Sequence, residues 1–491
     1  MKKSILIISL FVSASGISQL TTPGTGENYN LSELSALDPT VLGFDGTKYI
    51  LNADLIIAAS DTLEVTSSDT LFVDPDKRIT IEGSLITDAG ENNIKFFISS
   101  SDTLNPAEGI RFEEHSFASI KNTEFTYIGG LKVMTEEFLI ENCFLAHNVS
   151  GVSTGAVISL SRGAAVIRNN VFFQNDLPAV GSGANQKVAA QIIGNRIEKN
   201  GQTNVNRPQL NMGPTGEDTL RVIDNIIIGD RALSMVGGVG VSNFMGATAK
   251  INAIIENNTI QDNRYGVTIA GSNANALIKG NTIEDNDTQN DPALGGSGIS
   301  VNSTDDSQSL ILRENKIRRN LWGITVISKG SVDLGTIGDL GDNVFSENGN
   351  NGEFFALYNN TSLPINAMGN CWIETNETAD SAAIEEVITH QVDDPLLGVV
   401  DFSLPSCGTL GIVSFDEADF TLYPNPAETS IQFENKMNFE KIEFFTLNGQ
   451  LINTFRLDSG HNQINVELPQ GLYMLHFTNA NHQLTKKLMI K

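Results

Sequence analysis

Three charged residues that recur at one position of a repeated phrase are the side chains of this sequence best placed to do chemistry. Each lies two residues after the second large apolar residue of its repeat, and they are Asp262, Asp285 and Arg319. If successive repeats stack about 5 Å apart, as strands of a sheet do, these two carboxylates and the guanidinium stand in one column. Like charges at that spacing are costly unless a cation or the arginine intervenes. The column is therefore a candidate for calcium binding, for acid–base chemistry or for a solvated ladder of ion pairs.

Two aromatic residues and a long insertion lie close to this column. Tyr265 and Trp322 each follow a recurring asparagine by two residues, and the insertion 287–297 separates their repeats. A flat apolar ring suits the face of a sugar, so exposed aromatics beside an inserted loop predict a carbohydrate-binding surface. The alternative is that each ring covers the base of a loop.

The phrase that positions these residues is an aliphatic residue, two spacers, a residue that is usually Asn, one spacer and a second large apolar residue. It occurs ten times between Ile120 and Trp372, and successive fourth positions lie 20 to 34 residues apart. Periods of this length indicate stacked units that bury their apolar sides against one another. No copy contains an amphipathic helix, and Gly-led strands follow the phrase, so we predict an all-β solenoid, a parallel β-helix.

Asparagine dominates the fourth position of the phrase. An amide both donates and accepts hydrogen bonds and tolerates a left-handed turn, so these residues are predicted to form a structural ladder along the stack. Its members are Asn170, Asn195, Asn225, Asn258, Asn281, Asn315, Asn343 and Asn370. A second column follows four or five residues later and comprises Asn148, Asn175, Asn200, Asp230, Asn263, Asn286, Asn320 and Asn348.

Both ends of the chain differ from the repeat. Two lysines, an apolar run and then small residues predict a secretory signal peptide over 1–18. The solenoid is predicted over 19–410. Residues 411–419 have the composition of a linker, and alternating strands separated by turns over 420–491 predict a small antiparallel β-sandwich.

The repeats resemble those of the right-handed parallel β-helix proteins with the pectate-lyase-like fold. That group includes polysaccharide lyases, copper-site periplasmic proteins and secreted proteins of unknown role. The resemblance covers about 50–410 and implies a closing cap near 370–407. Sites of the group pair an Asp-bound calcium with a basic residue, and the column of Asp262, Asp285 and Arg319 is similar in type, without an accompanying lyase motif. Because one fold hosts many chemistries, the resemblance implies a fold more firmly than an activity.

Short motifs of the C-terminal unit occur in a specific order. They are Tyr423-Pro424-Asn425-Pro426, Leu447-Asn448-Gly449-Gln450, Leu468-Pro469-Gln470-Gly471-Leu472-Tyr473 and the terminal Lys486-Lys487-Leu488-Met489-Ile490-Lys491. Together they resemble the type A C-terminal sorting domain of the type IX secretion system of Bacteroidetes. The resemblance implies that the secretion machinery is a partner, that the chain crosses the periplasm and outer membrane, and that it is released or attached to the cell surface.

The chain is strongly acidic, with 31 Lys and Arg against 58 Asp and Glu and a formal net charge of −27. Phosphates would be repelled, so neither nucleic acid nor an anionic membrane is an expected partner. No apolar run after the signal peptide is long enough for a membrane-spanning helix. No zinc spacing, EF-hand or calcium-repeat motif is present, which leaves calcium at the charged column as the one cofactor worth testing. A monomer is expected.

The three cysteines divide into a pair and a single residue. Cys371 and Cys407 bracket the expected closing cap, and in an oxidising compartment such a pair is expected to form a disulfide. Cys143 occupies a ladder position and is expected to be a small core residue.

Three functions are compatible with these patterns. We favour a non-catalytic module that binds polysaccharide or mediates adhesion at the cell surface. The alternatives are a polysaccharide lyase or glycosidase that acts on an acidic glycan through the face 262–319, and a structural surface stalk. No nucleophile elbow, phosphate loop or HExxH helix indicates another enzyme class. Stacked carboxylates in an open groove with room for calcium would favour the enzyme, and neutralised pairs would favour binding or a stalk.

Overall fold

The computed structural model describes residues 19–90, 95–245, 249–407, 422–435, 439–446, 451–466, 468–478 and 483–491. These residues form two compact units, one that ends at Cys407 and one after it. The predicted signal peptide 1–18, the linker 411–419 and the motif 447–450 lie outside the described residues.

The first unit consists of three long sheets whose strands come from successive coils. Sheet 1 contains Gln19–Thr21, Asp54–Ile57, Arg78–Ile81, Gly109–Phe112, Leu131–Val133, Ile158–Leu160, Val180–Ser182, Leu210–Met212, Val239–Asn243, Val267–Gly271, Ser297–Ser303, Trp322–Ser328, Leu357–Asn360 and Ile388–Thr389. Sheet 2 contains Leu42–Phe44, Tyr49–Leu51, Thr70–Val73, Phe96–Ser100, Thr123–Thr126, Phe144–Ala146, Val171–Phe173, Arg196–Glu198, Ile226–Ile228, Thr259–Gln261, Thr282–Glu284, Lys316–Arg318 and Val344–Ser346. Sheet 3 contains Asn28–Tyr29, Thr62–Val65, Ser84–Asp88, Phe117–Lys121, Glu137–Glu141, Val166–Arg168, Gln191–Ile193, Leu220–Ile223, Ile251–Glu256, Ala274–Lys279, Ser309–Arg313, Val332–Asp333, Ile365–Asn366 and Val400–Asp401.

Each coil runs from sheet 3 through sheet 2 to sheet 1, and the strands pair in parallel with their equivalents in the next coil, except that Leu42–Phe44 pairs with Tyr49–Leu51 in antiparallel at the N-terminal end of sheet 2. Inward side chains alternate with outward ones, as in the strand Ile251–Glu256, where every second residue is buried. Because equivalent residues pair, Ile260, Ile283 and Ile317 stack in one buried column. Such columns stabilise a coil only when its neighbours are present, which is why the repeat must stack. The predicted fold class is confirmed.

The asparagine column closes the turn between sheet 3 and sheet 2. Nδ2 of Asn258 donates to Oδ1 of Asn281 over 2.9 Å and to the carbonyl oxygen of Val222 over 2.8 Å. The backbone N–H of Asn258 donates to the same Oδ1 over 2.9 Å. This bonding runs through eight fully buried residues, Asn170, Asn195, Asn225, Asn258, Asn281, Asn315, Asn343 and Asn370. The amides thus satisfy backbone groups that no water reaches.

Smaller polar groups extend this column toward the N-terminus. The backbone N–H of Cys143 donates to Oδ1 of Asn170 over 2.9 Å, and the hydroxyls of Thr87 and Thr123 lie 2.7 Å apart. Cys143 is a free, buried thiol, and burial raises its pKa to about 12. A thiol with so little thiolate is unreactive, so its role is packing.

The second column contains one residue that sequence reasoning placed wrongly. Asp230 was expected between Asn200 and Asn263, but Gln209 occupies that position. Its Oε1 accepts from Nδ2 of Asn200 over 3.1 Å, and its Nε2 donates to Oδ1 of Asn263 over 3.0 Å. A carboxylate has no proton to pass along the ladder, whereas the longer Gln amide reaches in from the loop and supplies one. Asp230 instead accepts from the backbone N–H of Ala232.

The left-handed turn falls one residue before each ladder asparagine rather than on it. Asn257 and Gly280 precede the first column with φ of 56° and 65°. Asp262, Asp285 and Arg319 precede the second column with φ of 58°, 58° and 51°. The three charged residues therefore occupy turn positions, where their side chains point away from the core.

Short helices and polar anchors cover both ends of the solenoid. The helix Leu31–Leu37 begins after Asn30, whose side chain accepts from the backbone N–H of Glu33. At the other end the helix Ser381–Glu385 is followed by buried His390, which accepts from the N–H of Val400 and lies 2.7 Å from a carboxylate oxygen of Glu385.

Cys371 and Cys407 are joined by a disulfide with a sequence separation of 36 residues. This bond encloses the cap segment, so it restricts the unfolded chain at the end of the solenoid.

The second unit is a pair of antiparallel sheets. Ser430–Asn435 pairs with Gly460–Asn465, and the other sheet has the order Leu451–Arg456, Lys441–Thr446, Gly471–Thr478, Gln483–Ile490. A separate core of aromatic and aliphatic side chains, which includes Phe433, Phe444 and Phe477, lies within this unit. Its strand pairing matches the β-sandwich predicted from the alternating pattern.

Candidate functional site

The charged column has the register that the repeat predicts. Gln261, Glu284 and Arg318 pair across three successive strands of sheet 2, so Asp262, Asp285 and Arg319 follow one another along the axis. Nε and Nη2 of Arg319 donate to the two carboxylate oxygens of Asp285 over 2.9 and 2.8 Å, and Nη2 also reaches Glu284 over 2.5 Å. Both oxygens of Asp285 are therefore held by one guanidinium.

A second arginine, which sequence reasoning missed, neutralises the other aspartate. Nη1 of Arg231 donates to Oδ1 of Asp262 over 2.9 Å, and Nη2 donates to Oδ1 of Asp287 over 2.8 Å. Arg318 forms a further pair with Glu374 through Nε and Nη2, over 2.7 and 2.6 Å. The face that carries Asp262, Asp285 and Arg319 is therefore a network of alternating charges, which we call the turn network (Arg231, Asp262, Glu284, Asp285, Asp287, Arg319).

The hydrogen bonds of the turn network favour the charged form of its two arginines. The hydrogen bonds that Arg319 donates to Asp285, followed by the one that it donates to Glu284, raise the pKa of Arg319. The hydrogen bonds that Arg231 donates to Asp262 and Asp287 raise the pKa of Arg231. A general base needs a carboxylate free to accept a proton, and both aspartates already accept charged hydrogen bonds. Within the described ranges, no group of three or more His, Cys, Asp or Glu residues is arranged to hold a metal ion.

The ring of Tyr265 covers the backbone of the preceding coil at Gly237. Its ring is half-buried, and a Cβ atom built on Gly237 would lie 2.2 Å from its Cζ, so the ring rests directly on that backbone. Burial also raises the pKa of Tyr265 to about 12. The glycine is required because any side chain at 237 would displace the ring.

Trp322 lies at the start of a sheet 1 strand and contributes to an aromatic cluster. Its ring centroid is 4.6 Å from that of Phe355 and 5.0 Å from that of Tyr358. Its indole N–H donates to the carbonyl oxygen of Pro292 in the inserted loop 287–297 over 2.9 Å. All three residues are partly exposed to solvent.

The rings of Trp322 and Tyr358 border a cleft of about 390 Å³ on the outer face of sheet 1. We call it the aromatic cleft. Its floor is formed by the paired residues Ser300, Thr325 and Tyr358, and the loop segment 292–295 forms one wall. The hydroxyl of Ser300 has no hydrogen-bond partner among the described residues and faces the cleft.

A buried arginine fixes the wall of the aromatic cleft. Arg264 donates from Nη2 to the carbonyl oxygen of Leu294 over 2.6 Å and from Nε to Oε1 of Gln289 over 2.5 Å. Its own carbonyl oxygen accepts from the N–H of Gly296 over 2.8 Å. Three anchors along one loop make the wall part of the folded structure, so little order has to be gained when a ligand enters.

Sequence reasoning found Trp322 but missed Phe355, Tyr358 and Arg264. The signal for Tyr358 is its outward position in a strand register that it shares with Ser300 and Thr325. Arg264 carried no such signal, because a charged residue next to a ladder asparagine is ordinarily exposed.

The sorting motif is built into the last strand of the C-terminal unit. Nδ2 of Asn425 donates to the carbonyl oxygen of Lys487 over 2.8 Å, and its Oδ1 accepts from the N–H of Met489 over 2.9 Å. The hydroxyl of Tyr473 donates to the carbonyl oxygen of Pro469 over 2.8 Å, just before the strand that begins at Gly471. Tyr423, Pro424 and Pro426 flank this anchor at the start of the unit.

Comparison with known families identifies both units. Residues 108–289 match the right-handed beta helix region, and residues 421–491 match the secretion system C-terminal sorting domain. The chain is a right-handed β-helix protein with a type IX sorting domain. Residues 250–378 also match a family of unknown function, DUF1565.

Two further comparisons add little about activity. A crystal structure of a mutant of the periplasmic alginate epimerase AlgG is similar over 77% of this chain and 83% of that chain, with 13% identity and a TM-score of 0.36. Similarity at that level carries no argument about what this chain does. No curated protein matches the chain significantly.

The sorting domain establishes where this β-helix protein goes. The chain is exported by the type IX machinery to the cell surface or the medium, as the sequence motifs predicted. No helix in the described parts of the chain is long and apolar enough to cross a membrane.

Proposed function

We propose that this exported β-helix protein is a non-catalytic polysaccharide-binding module whose binding site is the aromatic cleft. The observation that carries the proposal is that Trp322 and Tyr358, whose ring centroids are 5.0 Å apart, line a 390 Å³ cleft on sheet 1. Rings of this kind offer flat apolar surface with polar edges, which suits a sugar.

The cleft combines the features of a preformed ligand site. Half-exposed rings lie on one side, the anchored loop segment 292–295 lies on another, and the hydroxyl of Ser300 faces the space between them. Apolar lining with a few placed polar groups is the usual composition of a site for a small molecule or a polymer segment. The geometry therefore supports stacking of a sugar ring against Trp322 or Tyr358.

The turn network supports binding without turnover. A lyase at this face would need a carboxylate that holds calcium and a free base, but Asp285 is chelated by Arg319 and Asp262 is paired with Arg231. Breaking these pairs would leave charges uncompensated, so the resting arrangement is a ladder of ion pairs. These contacts favour a structural role for Asp262, Asp285 and Arg319 over a catalytic one.

A glycan array probed with the purified exported protein tests this proposal. We expect at least one polysaccharide to bind, and we expect Trp322→Ala to weaken that binding by about 1–3 kcal/mol through loss of stacking area. Phe117→Ala, at an aromatic residue that is 42% exposed on sheet 3, is the matched control and should leave affinity unchanged. Melting temperatures of both variants separate a binding defect from unfolding.

Two outcomes replace the proposal with one of its alternatives. Unsaturated uronate products that form with wild type and disappear with Arg319→Ala would establish the lyase. An array on which no glycan binds would leave the structural stalk.

A further inference from the structure

A second cleft on the outer face of sheet 1 lies nearer the N-terminus. It has a volume of about 370 Å³ and lies over the strands from Leu131–Val133 to Leu210–Met212. We call it the cationic cleft, because Lys132 and Arg207 line it and no Asp or Glu does. In a chain of net charge −27, a concave site with two cations and no carboxylate is the reverse of the average surface.

The donors of the cationic cleft have few partners. The ammonium of Lys132 and the side-chain amide of Asn211 make no hydrogen bond or ion pair within the described structure. The side chain of Arg207 donates one hydrogen bond, from Nη1 to the carbonyl oxygen of Thr154 over 3.1 Å. No carboxylate of the described residues forms an ion pair with Arg207. In the turn network, by contrast, both arginines are saturated with carboxylates.

The fold holds Lys132 in this position at an energetic cost. Its strand neighbours Leu131 and Val133 point into the core, so Lys132 must point outward into the cleft. Burial, reinforced by repulsion from Arg111 on the adjacent strand, lowers the pKa of Lys132. A partly desolvated cation without a counter-charge is unfavourable, and an incoming anion relieves that cost.

The chemistry of the lining selects the kind of ligand. Ammonium, guanidinium and amide groups are all hydrogen-bond donors, and charged donors bind planar or tetrahedral oxyanions strongly. Fields of distant charges are screened beyond about 8 Å at physiological ionic strength, so the cations of the cleft outweigh the net negative charge of the chain at this place.

We propose that the cationic cleft binds an oxyanion group, a carboxylate or a sulfate ester, of an acidic polysaccharide. That the oxyanion belongs to a polysaccharide rests on the proposed function, whereas oxyanion binding by Lys132, Arg207 and Asn211 does not. The aromatic cleft opens on the same face of sheet 1, about five coils or 24 Å away.

Calorimetric titration of the full exported chain with three polymers tests the inference. The polymers are a neutral glucan, a polyuronate and a sulfated galactan, and inorganic sulfate serves as a small probe of the cleft itself. We expect tighter binding of one acidic polymer than of the glucan, competition by sulfate, and a loss of about tenfold or more on Lys132→Met or Arg207→Gln. Which acidic polymer binds decides between carboxylate and sulfate ester.

Lys121→Met is the matched control, because Lys121 is also half-exposed on a strand, on sheet 3, and has no ion pair among the described residues. Equal affinity of wild type and Lys132→Met for both acidic polymers, or a wild-type protein that binds neither the acidic polymers nor sulfate, would overturn the inference. Binding of the glucan that depends on Trp322 would then still support the proposed function. Sulfate binding that depends on Lys132, without binding of any polymer, would retain the oxyanion site and reject the polysaccharide.

Discussion

The turn network and the outer face of sheet 1 are built from the same coils, yet they differ in how their polar groups are used. In the turn network Asp285 and Arg319 bond to each other, and Asp262 bonds to Arg231. On sheet 1, Lys132 lacks a counter-charge within the described structure, and the rings of Trp322 and Tyr358 keep part of their faces open. The charged groups of the turn network pair with one another, whereas the outer face of sheet 1 leaves polar and aromatic groups available to a ligand.

This difference teaches where function is found in a solenoid. A column that repeats in register lets each side chain find its partner in the next coil, so regular charges tend to cancel. The face of sheet 1 departs from the repeat at the inserted loop 287–297 and at isolated polar residues such as Lys132. For Lys132 the neighbouring coils supply no oppositely charged side chain within the described structure. Departures from the period are therefore better guides to binding than the period itself.

Removal of residues 415–491 should have the largest effect of the changes proposed here, which is the loss of surface display. It also tests whether the turn network and the outer face of sheet 1 need only the solenoid. The truncated chain should keep its fold and its glycan binding, because the disulfide and the cap lie before residue 415, but it should accumulate in the periplasm. Cell fractionation and surface labelling measure this. Equal surface display of the truncated and full-length chains would contradict the sorting assignment.

Asn258→Leu should be the most damaging single change to stability. It removes a side-chain amide that makes five hydrogen bonds, of which two come from Asn225 and one goes to Asn281. The buried N–H groups of Asn225 then lose the acceptor that Asn258 supplies. We expect a loss of about 2–3 kcal/mol in the free energy of unfolding, measured by denaturant titration.

Asn275→Leu, at an exposed position in the next coil, is the control for the ladder. Asn290 is less suitable because its φ of 50° would itself penalise a branched side chain. Similar destabilisation by the two Leu substitutions would mean that the ladder adds nothing to stability beyond an ordinary surface amide.

Trp322→Ala should show that glycan affinity depends on the aromatic cleft of sheet 1 and not on the turns. Glycan affinity should fall by about 1–3 kcal/mol, because the indole is the largest ring at the aromatic cleft. Tyr265→Phe, which keeps the ring on Gly237, should bind as wild type does. An isotherm that is unchanged by Trp322→Ala would move the binding site away from the aromatic cleft.

Arg319→Ala should have the smallest effect. The pair with Asp285 is solvent-exposed, so its loss should cost about 0.2–1 kcal/mol of stability and no glycan affinity. The loss of stability caused by Arg319→Ala should also be smaller in high salt, because salt screens the attraction between exposed charges. A loss of glycan affinity larger than that caused by Trp322→Ala would reverse our assignment of the two faces.

The sequence predicted the solenoid because its signal is repeated ten times, and each copy constrains the next. Ladder residues such as Asn258 and Asn281 could be named from their spacing, since parallel stacking turns a period into a contact. The prediction that Asp230 belongs to the second column was wrong. Spacing alone does not reveal that the longer side chain of Gln209 reaches the position between Asn200 and Asn263 from a loop.

The candidate site was less accessible to sequence reasoning. The pairing of Arg231 with Asp262 joins residues 31 positions apart through a turn, which no local pattern marks. Lys132 is one charge in an alternating strand, and its isolation from carboxylates depends on which loops of other coils surround it. Such sites depend on tertiary proximity rather than on the repeat.

Hydroxyl-radical footprinting of the full exported chain, with and without a glycan that binds it, tests the central claim most directly. Aromatic side chains are readily oxidised by hydroxyl radicals, so their loss of reactivity measures coverage by a ligand. Trp322 and Tyr358 serve as probes on sheet 1, and Tyr127 and His147 serve as probes at the turns. We predict protection of Trp322 and Tyr358 at saturating glycan and no change at Tyr127 and His147. Protection confined to the turn residues, with Trp322 and Tyr358 equally reactive in both states, would contradict the account.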